Sequence, residues 1–109
     1  MSDACLLVFI TVPDRERAET IAESLVADRH AACVTVIGGA TAFYRWEGQL
    51  HRDAETLLLA KTTRAALDGL RTAVLSLHSE ELPELIAVPV TDGLSAYLQW
   101  VDSETRRHD

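Results

Sequence analysis

Apolar and polar positions along the chain follow two alternating periods, which predict strands and helices in turn. Residues 4–12 are almost continuously apolar and β-branched, a pattern typical of a strand. After Pro13, apolar residues recur at helical spacing and predict a helix over residues 15–29, with Asp14 as its N-cap. The opposite side of this helix is charged, so we expect one face to pack on a core and the other to face water.

The middle of the chain predicts a long hairpin. Residues 31–46 form one strand-like run that Gly38 and Gly39 interrupt, and glycines at such a place usually mark a bulge or bend. Glu47 and Gly48 provide the turn, and residues 49–62 return as a second long strand.

The remainder predicts a helix, a strand and a further helix. Thr62 or Thr63 can cap the second helix, whose apolar positions are Leu67, Leu70, Val74 and Leu77. Pro83 begins a strand that ends at Val90, and Asp92 with Gly93 forms a turn. A short third helix carries Leu94, Tyr97, Leu98 and Val101.

This order, β-α-β-β-α-β with a terminal helix, predicts an α+β fold: a ferredoxin-like βαββαβ sandwich with an antiparallel sheet of strand order 4-1-3-2. The length of 109 residues suits a single domain over residues 1–109. Right-handed crossovers place both main helices on one face of the sheet. The first strand is nevertheless apolar on both faces, whereas a half-solvated antiparallel sheet should alternate. We therefore expect another copy of the chain to cover the second face.

The composition narrows the range of partners. Hydrophobic residues make up 48% and charged residues 25%, and the net charge is -7. Beyond Arg106 and Arg107 there is no cluster of basic residues, which argues against nucleic acid as a partner. An acidic surface also repels anionic membranes and attracts cations. The apolar N-terminal run lacks a basic leader and a cleavage site, and it is too short to span a bilayer, so we expect a cytoplasmic protein.

Two cysteines and one stretch of polar residues are the candidates for chemistry. Cys5 and Cys33 lie in apolar runs on strands that a third strand separates, which favours buried free thiols over a disulfide or a metal pair. In "HSEELPE", His78 ends the second helix and either interacts with the carboxyl end of that helix or binds a ligand. Together with Glu81 and Glu84 it offers nitrogen and oxygen ligands to Zn²⁺ or Cu²⁺, the alternative being a solvated acidic turn.

Other conspicuous side chains allow a structural and a binding interpretation. Lys61 lies in an apolar strand and must pair or extend to water. Tyr44, Trp46 and Trp100 are typical interface anchors, and with Lys61 they also suit a ligand cleft. No glycine-rich phosphate loop, HExxH motif or paired-cysteine motif is present, so we do not expect an enzyme.

Four motifs in combination resemble the CutA family of divalent-cation-tolerance proteins over residues 6–102. They are the Tyr-x-Trp-x-Gly hairpin, Glu-x5-Lys-Thr, His-x4-Pro-Glu and Tyr-Leu-x-Trp, which begin at Tyr44, Glu55, His78 and Tyr97. The resemblance implies a homotrimer in which hairpins pair between subunits and Lys61 faces the same inter-subunit cleft as Glu84. It also implies copper ligands at a first-strand cysteine and a histidine pair, positions that Ile10, Leu77 and His78 occupy here.

Because only His78 of those ligands is present, a Cu(I) thiolate site is not expected. The resemblance then implies a trimeric divalent-cation tolerance or metal-response protein that binds Cu²⁺ or Zn²⁺ weakly at the cleft and has no organic cofactor. The alternative is a trimeric small-molecule sensor or assembly scaffold resembling the PII signalling proteins, without a metal function. The long nucleotide-gripping loop and basic phosphate contacts of those proteins are missing, which favours the metal hypothesis.

Overall fold

The computed structural model describes residues 4–106, and Arg107, noted above beside Arg106, lies outside this range. The elements follow the predicted order. They are β1 (Cys5–Val12), α1 (Arg15–Ala27), β2 (Cys33–Trp46), β3 (Gln49–Thr63), α2 (Arg64–Leu77), β4 (Leu85–Pro89) and α3 (Ser95–Thr105). The predicted boundaries hold to within a few residues, and β4 starts two residues after Pro83 rather than at it.

The four strands form one antiparallel sheet in the order β2-β3-β1-β4, which confirms the predicted ferredoxin-like topology. Asp14 caps α1 as expected, since its Oδ1 accepts a hydrogen bond of 2.7 Å from the backbone N–H of Arg17. Thr63 is the N-cap of α2, but its side chain makes no capping hydrogen bond.

The core lies between the helices and one face of the sheet. Every second residue of β1 is at most 1% exposed, because these side chains pack under α1 and α2. They are Leu6, Val8, Ile10 and Val12. Ile21 and Leu25 of α1 and Leu70 of α2 are fully buried against them.

The other face of the sheet is apolar and only partly covered. Leu7 and Phe9 of β1 point to it and are half-buried. Their β4 partners in register, Val88 and Ile86, remain 40% and 55% exposed. The third helix, α3, covers one end of that face. There the Oγ1 atoms of Thr105 and Thr63 lie 3.3 Å apart. The rest of the face is left open.

Val36 and Ile37, adjacent residues of β2, face opposite sides of the sheet. Val36 pairs with Leu58 in register and packs against the core on the helix side of the sheet. Its neighbour Ile37 pairs with Leu57 on the open face and is 43% exposed. Successive residues of a strand point to opposite faces of the sheet. The sequence alone did not show which of these two side chains faces the core.

The hairpin of β2 and β3 extends beyond the rest of the sheet. Its register shifts between Ile37 and Ala40, at the glycine pair where the sequence predicted a bulge. At the tip, Glu47 and Gly48 both have positive φ values, 50° and 78°, as a two-residue type I′ turn requires. The protruding part pairs only with itself and forms one wall of the cleft described below.

The two cysteines are free, as predicted. Cys5 is aligned with Thr63 and Cys33 with Lys61, so β3 separates the two thiols. Both are half-buried rather than fully buried in the single chain, because they lie on the open face of the sheet.

Two leucines of α2 provide a matched test of the core. Leu70→Ala removes a fully buried side chain and is expected to lower the free energy of unfolding by about 2–5 kcal/mol. Leu75→Ala, at a position 60% exposed on the same helix, is expected to change it by less than about 0.5 kcal/mol. Urea unfolding followed by circular dichroism measures both, and equal losses would contradict the assignment of the buried face.

Candidate functional site

An open cleft of about 510 Å³ lies between the protruding hairpin and the segment that joins α2 to β4. Four carboxylates line it: Glu55, Glu80, Glu81 and Glu84. Aromatic side chains of the hairpin, including Tyr44 and Trp46, form the opposite wall. The sequence predicted seven site residues, and five of them line this cleft. The two exceptions are Lys61 and Trp100.

His78 is the C-cap of α2, and its backbone N–H donates to the carbonyl oxygen of Val74 at 2.8 Å. Its ring is held from both sides. Nδ1 lies 3.0 Å from the backbone nitrogen of Glu80 and must accept, because that N–H can only donate. Nε2 then carries the proton and donates to the carbonyl oxygen of Thr11 at 2.7 Å. Both ring nitrogens are occupied, so His78 binds a metal only if it gives up one hydrogen bond.

The remaining members of the predicted metal set share the cleft without forming a metal centre. Glu84 Oε1 accepts a hydrogen bond of 3.4 Å from Thr11 Oγ1, and Glu81 is exposed. Within residues 4–106, no group of three or more His, Cys, Asp or Glu side chains has an arrangement that holds a metal ion. Any cation bound here would therefore have to reorganise the side chains around it.

Glu55 lies in the cleft, although the sequence interpretation gave it no binding role. Its Oε2 is buried without a hydrogen-bond partner. Burial raises the pKa of Glu55, and the negative charges of Glu80, Asp53 and Glu84 raise it further, while His78 opposes them. The signal was in the Glu-x5-Lys-Thr motif, but the sequence did not show that β3 carries Glu55 into the cleft.

Tyr44 is fixed on the hairpin by two neighbours. Its hydroxyl donates to the carboxylate of Asp53, and its ring stacks on His51 at a centroid distance of 5.0 Å. The hydrogen bond to Asp53 raises the pKa of Tyr44 to about 12. At neutral pH the phenol is therefore a donor that points along the hairpin, and it adds no negative charge to the cleft.

Lys61 lies outside the cleft of its own chain. Its Nζ donates to Thr35 Oγ1 at 2.6 Å and to Cys33 Sγ at 3.7 Å, which gives it the pairing that its apolar strand requires. Lys61 pairs in register with Leu7 of β1. Glu84 is hydrogen-bonded to Thr11, which lies four residues further along β1. That is about 13 Å along the strand, so the expected approach of Glu84 to Lys61 does not occur within one chain.

Trp100 also does not line the cleft of its own chain. It lies on α3 and packs against Tyr97 with ring centroids 5.6 Å apart. A single cleft that contains all seven predicted residues therefore requires more than one copy of the chain.

The positions at which related proteins were expected to carry further copper ligands belong to the core. Ile10 is fully buried on the helix side of β1. Leu77 packs against the same core cluster. The apolar residues at these two positions thus contribute to packing, and His78 alone faces the cleft.

These features define a ferredoxin-like α+β domain with an acidic cleft and an open apolar sheet face. A model of the family described as CutA1 divalent ion tolerance protein matches residues 6–104. The divalent-cation tolerance protein CutA of Thermus thermophilus is 46% identical over 99 residues, which are 91% of this chain and 96% of that protein. The chain therefore belongs to the CutA1 divalent ion tolerance protein family.

Further similarities agree with this assignment. The chloroplastic protein CutA of Arabidopsis thaliana is 40% identical over 101 residues, which are 93% of this chain and 56% of that protein. The solved structure of the divalent cation tolerance protein (Cut A1) from Thermus thermophilus has a TM-score of 0.92 at 44% identity, covering 94% of this chain and 99% of that one. In the part of the chain that the structure describes, no helix combines the length and apolar character needed to cross a membrane.

The raised pKa of Glu55 predicts a pH-dependent contribution to stability. Glu55 keeps its proton to higher pH in the folded protein than in the unfolded chain, so binding of this proton favours the folded state. This contribution to the free energy of unfolding is complete below the pKa that Glu55 has in the unfolded chain. It is lost as the pH rises through the pKa that Glu55 has in the folded protein. Glu55→Gln stays neutral throughout. We expect it to raise the free energy of unfolding relative to the parent at pH 7 and to have little effect near pH 4.

Urea unfolding at the two pH values measures this difference. Glu23→Gln, at an exposed position of α1, is the control for the loss of one negative charge. A Glu55→Gln variant that is no more stable at pH 7 than the Glu23→Gln control would contradict the account of the cleft.

Proposed function

We propose that this member of the family acts in the cytoplasm as a homotrimeric, non-catalytic cation-tolerance protein whose acidic cleft binds Cu²⁺ or Zn²⁺ weakly. The observation that carries the proposal is the buried, unpartnered Oε2 of Glu55, which lies in a cleft with three further glutamates. Burial raises the pKa of Glu55, and the charges of Glu80, Asp53 and Glu84 raise it further. A divalent cation in the cleft offsets the repulsion among these carboxylates.

The chemistry of the ligands decides which cations fit. Carboxylate oxygens from Glu55, Glu81 and Glu84 with one imidazole nitrogen suit Zn²⁺ or Cu²⁺ better than Cu(I), which prefers thiolates. His78 joins them through Nδ1 after releasing the N–H of Glu80. The lost hydrogen bond and the side-chain movement both reduce the affinity, so the binding is weak and easily reversed.

Two features support the trimer: the open face of the sheet, and the position of Lys61 and Trp100 outside the cleft that holds the other predicted site residues. Leu59 lies opposite Phe9 on that face, which also carries the exposed side chains of Ile37 and Ile86. Covering this apolar surface with another copy removes it from water at a gain of about 25 cal/mol per Å². Assembly also gives a route by which Lys61 and Trp100 of one copy reach the cleft of another.

Calorimetric titration with Cu²⁺ and Zn²⁺ tests the cleft. We expect Glu55→Gln and Glu84→Gln to weaken binding of both ions by at least about tenfold, because each removes a charged oxygen ligand. Glu23→Gln on α1 should leave the affinity unchanged. Equal affinities in all three variants would place the binding elsewhere.

His78→Ala separates capping from ligation. The loss of two ring hydrogen bonds is expected to lower the free energy of unfolding by about 1–3 kcal/mol, whether or not a metal is present. If His78 is also a ligand, the affinity for Cu²⁺ falls as well. An unchanged affinity in a destabilised variant would leave His78 as a helix cap alone.

A charge on the open face tests the assembly. Leu59→Asp is expected to dissociate the trimer, since it buries an unpaired carboxylate at the contact. Leu75→Asp on the solvent side of α2 should leave the mass in solution unchanged. Light scattering at micromolar concentration measures both, and an unchanged mass for Leu59→Asp would remove this face from the interface.

A small-molecule sensor is the second candidate. The cleft volume of about 510 Å³ and the aromatic wall formed by Tyr44 and Trp46 favour it, since ligand pockets commonly enclose about 300–1,000 Å³. The same calorimeter distinguishes the two functions: saturable binding of ATP without binding of either metal would favour the sensor.

A further inference from the structure

The carboxyl end of α2 leads directly into the cleft, and its last turn contains no basic side chain. The last carbonyl groups of a helix lack partners within the helix and carry the negative end of its dipole. Arg17 of α1 supplies one partner from another helix, since its Nη1 donates to the carbonyl oxygen of Leu77 at 2.8 Å. Neither the lining of the cleft nor the proposed ligand set includes Arg17.

This contact acts on the peptide group that joins Leu77 to His78. The carbonyl oxygen of the group accepts from Arg17. Its N–H belongs to His78 and donates to the carbonyl oxygen of Val74 at 2.8 Å. A planar peptide group that is held at both its oxygen and its nitrogen has little freedom to rotate. The direction in which the His78 side chain leaves the backbone therefore depends on a residue of α1.

We propose that Arg17 is a positioning residue that holds the imidazole of His78 in the cleft. The inference rests on the proposed cation binding, in which His78 is a ligand through Nδ1. On an anchored backbone the ring keeps its Nε2–H on the carbonyl oxygen of Thr11, at 2.7 Å, and directs Nδ1 to Glu80 of the cleft lining. Such a hydrogen bond sets the tautomer and orientation of a metal-binding histidine.

The anchored backbone also determines which part of the site moves when a cation binds. Nδ1 accepts from the backbone N–H of Glu80, and this hydrogen bond must break before Nδ1 can ligate. Because Arg17 holds the backbone of His78 and Thr11 holds its ring, Glu80 moves while the imidazole stays in place. Without Arg17 the end of α2 loses an anchor. Binding then has to order the imidazole as well, which lowers the affinity.

The charge of Arg17 makes positioning distinguishable from a purely electrostatic effect. A positive charge repels a bound cation, so loss of the charge alone is expected to strengthen binding. Loss of the positioning contact is expected to weaken it. Arg15 provides the matched control, because it carries the same charge at the start of the same helix. Its side chain pairs with Glu19 on the surface of α1, at 3.0 Å.

Calorimetric titration with Cu²⁺ and with Zn²⁺ tests the direction of the effect. Arg17→Ala is expected to weaken binding of both ions by about tenfold, as when a contact behind a metal ligand is lost. Arg15→Ala is expected to bind them as tightly as the parent or more tightly. Arg17→Lys keeps an N–H donor for the carbonyl oxygen of Leu77 and is expected to recover most of the affinity.

Amide hydrogen exchange of the metal-free protein, followed by NMR, reports on His78 without any cation. The N–H groups of His78 and Glu80 both donate hydrogen bonds at the end of α2. We expect both to exchange about fivefold faster in Arg17→Ala than in the parent, and at the parental rate in Arg15→Ala. The amides of β1 should keep their rates in both variants, which distinguishes a local effect from a general loss of stability.

Two results would overturn the proposal. One is an Arg17→Ala variant that binds Cu²⁺ and Zn²⁺ at least as tightly as Arg15→Ala does. The other is unchanged exchange of the His78 and Glu80 amides in Arg17→Ala. A parent that binds neither ion would instead contradict the proposed function, and the exchange rates would still decide whether Arg17 holds His78.

Discussion

The first strand is apolar on both of its faces, and the rest of the structure depends on how each face is covered. One set of side chains, from Leu6 to Val12, packs under the two main helices and is fully buried. The other set, with Leu7 and Phe9, faces a surface that α3 closes only at one end. Because apolar area of this kind is rarely left in water, the same constraint that builds the core also calls for a second copy of the chain.

The acidic cleft follows from the same geometry. The register of the hairpin shifts after Ile37, beyond the last residues that pair with β1, and β3 there carries Glu55 opposite the turn that follows α2. Carboxylates from two segments come together there, and their negative potential is the physical basis of the cation binding that we propose. Within the described residues the site lacks the fixed geometry of a structural metal centre.

Much of the fold could be predicted from the sequence, because local patterns determine it. Asp14 caps its helix and the glycine pair marks the bulge, since both depend on a few adjacent residues. Contacts between residues far apart in the sequence were harder to predict. Register decided that Val36 faces inward and that Lys61 meets Cys33 rather than Glu84. The Glu-x5-Lys-Thr motif marks Glu55, but the burial of its Oε2 depends on residues distant in the sequence, which the motif does not indicate.

The mass of the unmodified protein in solution tests the central claim most directly, namely that one chain leaves both its sheet face and its site incomplete. Sedimentation equilibrium at several micromolar concentrations gives that mass without any substitution. The account predicts a single species of three chains of 12.0 kDa each, with no dissociation on dilution. A stable monomer over the same range would contradict it, because the apolar face of β1 would then remain in contact with water.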